Sequence, residues 1–391
     1  MDLVQSFMSP TVTDSTNDNA ITPKPIQPKT VMTVSGIRPD FIRMCNIFKT
    51  LDAHPHINHI LVHTGQHYDA LLSEVFFKEL DIRSPDYILE TGKQSSNHYE
   101  QLSYLSTSII ELIKTNELNP DIILFLGDSN TVCASLPLYK EGYKIGHIEA
   151  GMRSFDKRMF EEINRTVCDH CSNILFVYHD EYKQFLKNEN ITENVHVVGN
   201  TILEICKPLV PDIESRRDCI LVDVHRPENF KYPNRLQNII TYANKCSRKY
   251  GVPVKMLKFH GTCKTIEEHK LVLNAVELVD LMSYNTYLDT VYHSKFIISD
   301  SGTGQEEPAI LGTPVIVPRD FTERPQSVRY NCSHMLAVDT YDIDSLIVKE
   351  SFQYIDNIYS GLRKMSIEWL GDGQTSQNVV KILYSYLKSI E

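Results

Sequence analysis

The chain has 391 residues, long enough for two hydrophobic cores, and its 42% apolar and 23% charged residues are the ordinary balance of a globular protein. A formal net charge of −11 argues against nucleic acid as a partner, because neutralising a phosphate backbone needs a basic face, whereas a small anionic ligand needs only a few local arginines. No apolar stretch approaches the ~20 residues that cross a bilayer, so no membrane partner is expected.

Residues 1–28 are polar and turn-forming, with Pro23, Pro25 and Pro28, and lack the basic and apolar regions of a signal peptide, which predicts a disordered extension. From Thr30 onward, short β-branched runs recur: Thr30–Val34, Ile60–Val62, Ile122–Leu126, Ile145–Ile148, Ile174–Val177 and Val195–Val198. Each is followed by a helix-length segment, the pattern of βαβ units in a parallel sheet covered on both faces. Prolines at 208 and 211 interrupt the pattern, and the domain boundary is placed there, at 208–212, because proline removes backbone donors and favours extended chain. A second set follows at Cys219–Val222, Val252–Leu257, Phe296–Ile298 and Pro314–Val317. Val379, Val380, Ile382, Leu383, Tyr386 and Leu387 are helically spaced. The expected organisation is therefore a first domain over 29–207, a second over 213–370, and a terminal helix within 371–391 that packs back toward the first. The nine cysteines are odd in number and without framework spacing, which predicts reduced thiols in a cytoplasmic setting. Cys168 and Cys171 lie on a predicted helix with no second ligand pair and are read as packing residues.

The strand ends carry the chemistry. Ser299-Asp300-Ser301-Gly302-Thr303-Gly304-Gln305-Glu306-Glu307 follows an apolar run with a small-residue turn into a helix, an arrangement whose free backbone N–H groups favour an anion. Glu306 and Glu307 are acceptors, better suited to sugar or ribose hydroxyls than to phosphate, so the pair of features points to a nucleotide. Other polar clusters close the remaining strands: Gly36 to Asp40, His63 to His67, Gly127 to Asn130, His147 to Arg153, Gly199 to Thr201 and Val224 to Asn229. In a doubly wound sheet such clusters converge on one crevice. Asp128 could cap the helix opening at Ser129, Glu149 could end a strand facing Arg153, and Glu161 or Glu162 could favour a helix N-terminus, but three carboxylates in one cleft would raise one another's pKa and serve as acid or base. His225, flanked by Arg226, could polarise a leaving diphosphate. Neither metal nor cofactor is invoked.

In order and spacing, Gly36-x-Arg38-Pro39, Thr64-Gly65-Gln66-His67, Gly127-Asp128, His147-Ile148-Glu149-Ala150-Gly151-x-Arg153-Ser154, Glu161-Glu162-Ile163-Asn164-Arg165, Gly199-Asn200-Thr201, His225-Arg226-x-Glu228-Asn229, Ser299 to Glu307 and Thr322-Glu323-Arg324-Pro325 resemble the non-hydrolysing UDP-N-acetylglucosamine 2-epimerases. The resemblance runs from about Thr30 to the C-terminus. It implies an α/β chain of the GT-B fold, two Rossmann-like doubly wound domains with the active site in the cleft, and a homodimer. It also implies inversion at C2 of a UDP-N-acetylhexosamine by elimination of UDP to a 2-acetamidoglycal and its re-addition. By the same resemblance Asp128, Glu149, Glu161 and His225 would be catalytic. Arg38, His225, Ser301, Gly302 and Thr303 would hold the diphosphate, Arg165 would help position the sugar-phosphate end, Glu307 would accept the ribose hydroxyls, and Gln66, His67 and Arg324 would complete the substrate site.

Several positions depart from the family pattern: Ile37, Asp40 and Arg43 near the first strand, Phe160 before the paired glutamates, His260-Gly261-Thr262, and Thr303 in place of a glycine that allows close backbone approach. The short loop Ser154 to Phe160 resembles the branch acting on modified sugars, including 6-deoxy-L-HexNAc and acetamido-uronate nucleotides. Phe155 and Phe160 would favour an apolar C6 methyl group, and Lys157 and Arg158 a carboxylate. The competing readings are an inverting GT-B glycosyltransferase, a hydrolysing epimerase that releases free ManNAc, and a nucleotide-sugar-binding regulatory module.

Overall fold

The computed structural model describes residues 27–65, 74–94, 97–210, 218–338 and 345–390. Gln66 and His67, most of the N-terminal extension and the end of the interdomain segment lie outside them. Seven parallel strands form the first sheet: β1 (Lys29–Ser35), β2 (Ile57–His63), β3 (Tyr87–Ile88), β4 (Ile122–Leu126), β5 (Ile145–Ile148), β6 (Ile174–Val177) and β7 (Val195–Val197), in the order β3-β2-β1-β4-β5-β6-β7. The second sheet has six: β8 (Cys219–Asp223), β9 (Val254–Leu257), β10 (Val276–Val279), β11 (Ser294–Ser299), β12 (Val315–Val317) and β13 (Ser333–Met335), in the order β10-β9-β8-β11-β12-β13. Each order reverses beside its first strand, at β1/β4 and at β8/β11, and such a switch point opens a crevice at the carboxyl ends of the strands.

The central strands read as continuous apolar runs because helices cover both faces: all five residues of β4 and all four of β6 are buried. Three strands escape the sequence pattern. β3 is two residues long, β10 is an edge strand interrupted by Glu277, and β13 is an edge strand reading Ser333-His334-Met335. The helix Thr375–Ser389 buries Val379, Val380, Leu383 and Leu387 and packs on the helix Arg38–Asp52 of the first sheet's layer. Cys168 and Cys171 are buried on the helix Glu161–Cys171, and all nine cysteines are free thiols. Among the described residues no helix is long and apolar enough to cross a membrane.

Candidate active site

From the first domain, β4 and β5 and the helix Glu161–Cys171 present the three carboxylates to one cavity that also holds Asp40, Phe160 and His225. Asp128 makes no helix cap and instead pairs with Arg165. Glu149, 1% exposed, sits just past β5 with a φ of 68°, a left-handed conformation rare for a residue with a side chain and one that persists only where its surroundings over-determine it. Its carboxylate is bound by Arg43, with Arg165 3.7 Å and Arg324 3.8 Å away. Arg153, which could have faced it, turns to Asp169 and Glu189. Glu161 reaches across the cleft to Arg226 at 2.8 Å. Glu162 turns away from the cavity. Its carboxylate accepts from the Ser154 amide and hydroxyl and from the Phe155 amide, each at 2.9 Å, and so pins the loop that leads into Glu161.

That loop places its side chains unequally. Phe160 lines the cavity, whereas Phe155 packs edge-on against Phe185 at 5.0 Å and is not part of the wall. Arg158 is held by Asp156 and by Asp320 of the second domain.

From the second domain, fully buried Asp300 organises the opposite wall, accepting from the backbone amides of His225 and Arg226 at 3.0 Å each and from Asn229 at 2.8 Å. His225 Nδ1 lies 2.9 Å from Asp223, leaving Nε2 for the cavities. Burial pulls the imidazole down, but the Asp223 and Asp300 carboxylates outweigh it, so His225 stays protonated to higher pH than a free histidine.

The turn after β11 differs from the sequence expectation in detail. It enters a 3-10 turn, Thr303–Gln305, and a helix of only four residues, Glu307–Ile310, so the amides cluster around the turn and not at a long helix. Close approach falls to the neighbouring glycines: a Cβ on Gly302 would lie 2.4 Å from Arg324 Nη1, and one on Gly304 2.3 Å from Ser299 Oγ. Thr303 needs no such clearance, and its hydroxyl meets that of Ser301 at 3.1 Å.

The two adjacent glutamates separate. Glu306, expected among the hydroxyl acceptors, is fully buried and bridges the domains, 3.0 Å from Arg43 and 2.6 Å from Arg324. Arg324 in turn pairs with Glu323 at 2.6 Å, and burial of Glu323 is overridden by Arg319 and Arg324, which hold its carboxyl far below the usual range. Glu307 accepts from Tyr284 at 2.8 Å, and burial pushes it up to about 7. It lines a second cavity with Arg38, Phe259, Leu281, Tyr287 and Ser301, which joins the first at Arg43, His225 and Thr303. One cavity is thus largely apolar with Asp223 and Glu307 in its lining, the other ringed by acids and arginines.

Asp40 belongs to the acid cavity although sequence reasoning gave it no role. Its Oδ2 accepts from the Gly36 and Ile37 amides at 3.0 and 3.2 Å, and burial raises it to about 7. Arg43 and Glu323 carried a signal in their motifs, as charges alternating in sign with Asp40 and Arg324, and Glu306 one only as an acid of the β11 turn; Tyr284 and Tyr287 carried none, since helical tyrosines are ordinary packing residues. Among the described residues no group of three or more His, Cys, Asp or Glu could hold a metal ion.

The profile of the UDP-N-acetylglucosamine 2-epimerase family matches residues 49–384. The chain is 31% identical over 379 residues to a UDP-N-acetylglucosamine 2-epimerase of Methanococcus maripaludis, covering 91% of this chain and 98% of that one. It is 32% identical over 303 residues to the UDP-2,3-diacetamido-2,3-dideoxy-D-glucuronate 2-epimerase of Pseudomonas aeruginosa, covering 75% and 84%. The fold superposes with a TM-score of 0.80, at 29% identity over 91% of this chain and 99% of the other, on the Methanocaldococcus jannaschii UDP-GlcNAc 2-epimerase crystallised with UDP-GlcNAc and UDP. Phytolacca americana UGT2, complexed with UDP-2-fluoro-glucose and pterostilbene, shares the fold alone, at 12% identity and a TM-score of 0.51. With its two doubly wound domains of the GT-B arrangement, the chain belongs to the UDP-N-acetylglucosamine 2-epimerase family of isomerases.

Proposed function

We propose that the protein is a non-hydrolysing UDP-N-acetylhexosamine 2-epimerase. The observation that carries this reading is the convergence of Asp128, Glu149 and Glu161, from three separate elements, on a cavity continuous at His225 and Thr303 with one suited to a nucleoside. The uracil and ribose occupy the apolar cavity, with Glu307 accepting ribose hydroxyls. Arg38, protonated His225 and the backbone amides of Ser301 to Thr303 hold the diphosphate. The C2 proton of the sugar passes to a carboxylate of the Asp128, Glu149 and Glu161 set as the C1–O bond to UDP breaks, and its electron pair forms the C1–C2 double bond of the 2-acetamidoglycal. UDP then attacks C1 again while a proton returns to the opposite face of C2. His225 and the neighbouring arginines stabilise the departing phosphate charge, and Arg165, Arg226 and Arg324 orient the three acids. Gln66 and His67 complete the substrate site in this reading.

The sugar is uncharged at C6: either UDP-GlcNAc and UDP-ManNAc, or a 6-deoxy-L pair such as UDP-L-RhaNAc and UDP-L-QuiNAc. Support comes from Phe160 in the cavity wall and from Arg158, whose guanidinium is already taken by Asp156 and Asp320. The chain divides at 208–212, and residues 371–391 belong structurally with the first domain, supported by the packing of Thr375–Ser389 on Arg38–Asp52. It works as a homodimer, a reading supported by exposed Tyr99, Leu136, Tyr139 and Ile163 on three neighbouring helices of the first domain. NMR of reaction products from a panel of these UDP-sugars tests the proposal: C2-epimeric UDP-sugar is expected, whereas free hexosamine, an acceptor-dependent glycoside or no turnover on any of them contradicts it.

A further inference from the structure

The strand that delivers Glu149 also carries His147, which is wholly buried. Nδ1 lies 2.7 Å from Asp169 Oδ1 and Nε2 lies 2.8 Å from the Gly127 carbonyl oxygen. A carboxylate and a carbonyl offer only lone pairs, so both ring nitrogens donate and the ring is an imidazolium. Burial opposes that charge, but Cys168 and Asp169 beside it outweigh the penalty and push the histidine up to about 10. Asp169 is equally committed. It accepts from Arg153 at 2.8 Å and, through Oδ2, from the Gly151 amide at 3.1 Å, and despite burial His147 and Arg153 hold its carboxyl below the usual range.

The atoms this pair grips are the ones that matter. Gly127 immediately precedes Asp128, and Gly151 closes the turn in which Glu149 holds its left-handed backbone. We propose that His147 is a positioning residue for epimerisation, a permanently protonated imidazolium that ties the Gly127–Asp128 turn to the Glu149–Gly151 turn and so sets the spacing of two of the reacting carboxylates. The proposal rests on the functional reading of Asp128 and Glu149 given above. A histidine that merely filled the core would need one donor and one acceptor partner; two acceptor partners, the Gly127 carbonyl in one turn and the Asp169 carboxylate that holds the Gly151 amide of the other, require the cation and make the spacing depend on it.

Two measurements test it. Long-range proton–nitrogen correlation spectra of the histidine-labelled wild-type protein, with His147 assigned by its loss in His147→Gln, are expected to show both ring nitrogens protonated from about pH 6 to 9. A neutral ring at pH 7 overturns the proposal, and this readout is independent of turnover. In kinetics, His147→Gln is expected to lower kcat about 100-fold while KM and the Kd for UDP stay within about twofold, because glutamine cannot donate along both directions and misplaced groups lose rate before affinity. Unchanged kcat, or a loss confined to KM or UDP affinity, overturns it. Asp169→Asn, which keeps the shape but not the counter-charge, is expected to give the same kinetic pattern and a deprotonated His147. A wild-type chain that turns over no UDP-N-acetylhexosamine refutes the functional reading and the positioning role with it, whereas a neutral His147 in an active enzyme refutes the positioning role alone.

Discussion

Replacing Glu306 by glutamine preserves volume and removes one charge from the centre of the interdomain network. The carboxylate is fully buried and serves two guanidiniums at once, Arg43 of the first domain at 3.0 Å and Arg324 of the second at 2.6 Å. In Glu306→Gln one arginine keeps an amide oxygen while the other faces an amide N–H, donor against donor. Removing one partner of a buried ion pair typically costs about 3–5 kcal/mol, because the remaining charge stays desolvated and unmatched. With a urea dependence of about 3 kcal/mol/M, the high end of the range for small domains, the unfolding midpoint falls by about 1 to 1.7 M. Equilibrium urea unfolding followed by fluorescence of Trp369 is the assay. The exposed pair Lys258–Asp280, 2.8 Å apart, is the control, and Asp280→Asn should leave the midpoint unchanged. A Glu306→Gln midpoint that also stays put would refute the assignment of Glu306 as a bridge and return it to the hydroxyl acceptors expected from its motif.

Amide replacement of Asp128, Glu149 or Glu161 should lower kcat by about 100-fold or more with the Kd for UDP little changed, measured by coupled turnover and calorimetry; a loss carried by UDP affinity would remove them from the chemistry. Because the Asp223 and Asp300 carboxylates raise His225, UDP binding should persist above the ordinary histidine range and weaken as pH rises through the folded-state value, and His225→Asn should flatten that profile. Glu307 has the same sign of linkage, acting on stability: raised to about 7 from 4.5, it binds more protons folded than unfolded between those values, so stability declines as pH rises through that window and Glu307→Gln should reduce the decline. Gly302→Ala should displace Arg324, whose Nη1 would lie 2.4 Å from the new Cβ, and a variant with full activity would contradict the close packing of the turn.

The alternation of apolar strands with helices was legible because parallel strands buried on both faces must be apolar throughout, as Ile122–Leu126 and Ile174–Val177 are. Edge strands such as Ser333–Met335 escape that rule, being covered on fewer sides. At the site, residue type and strand-end or helix-start position marked Asp128, Glu149, Glu161 and His225 as candidates, since the turns that follow the strands open into the crevice. Pairing was not legible: that Glu306 turns to Arg43 and Arg324 while its neighbour Glu307 turns to Tyr284 depends on the approach of two domains and on a 3-10 turn, neither of which leaves a periodic trace. The loop from Ser154 to Phe160 shows the same limit, since which of its two phenylalanines lines the cavity depends on how Glu162 grips the Ser154 and Phe155 amides.

The central claim is that the C2–H bond breaks and re-forms in this cavity, and incubation with the UDP-N-acetylhexosamine substrate in deuterated water tests it most directly. Proton NMR and mass spectrometry of the nucleotide sugars should show solvent deuterium at C2 of the epimerised product, one mass unit gained, with UDP still attached. Epimerised product that retains protium at C2 throughout repeated turnovers would contradict exchange through the Asp128, Glu149 and Glu161 carboxylates, and with it the elimination mechanism.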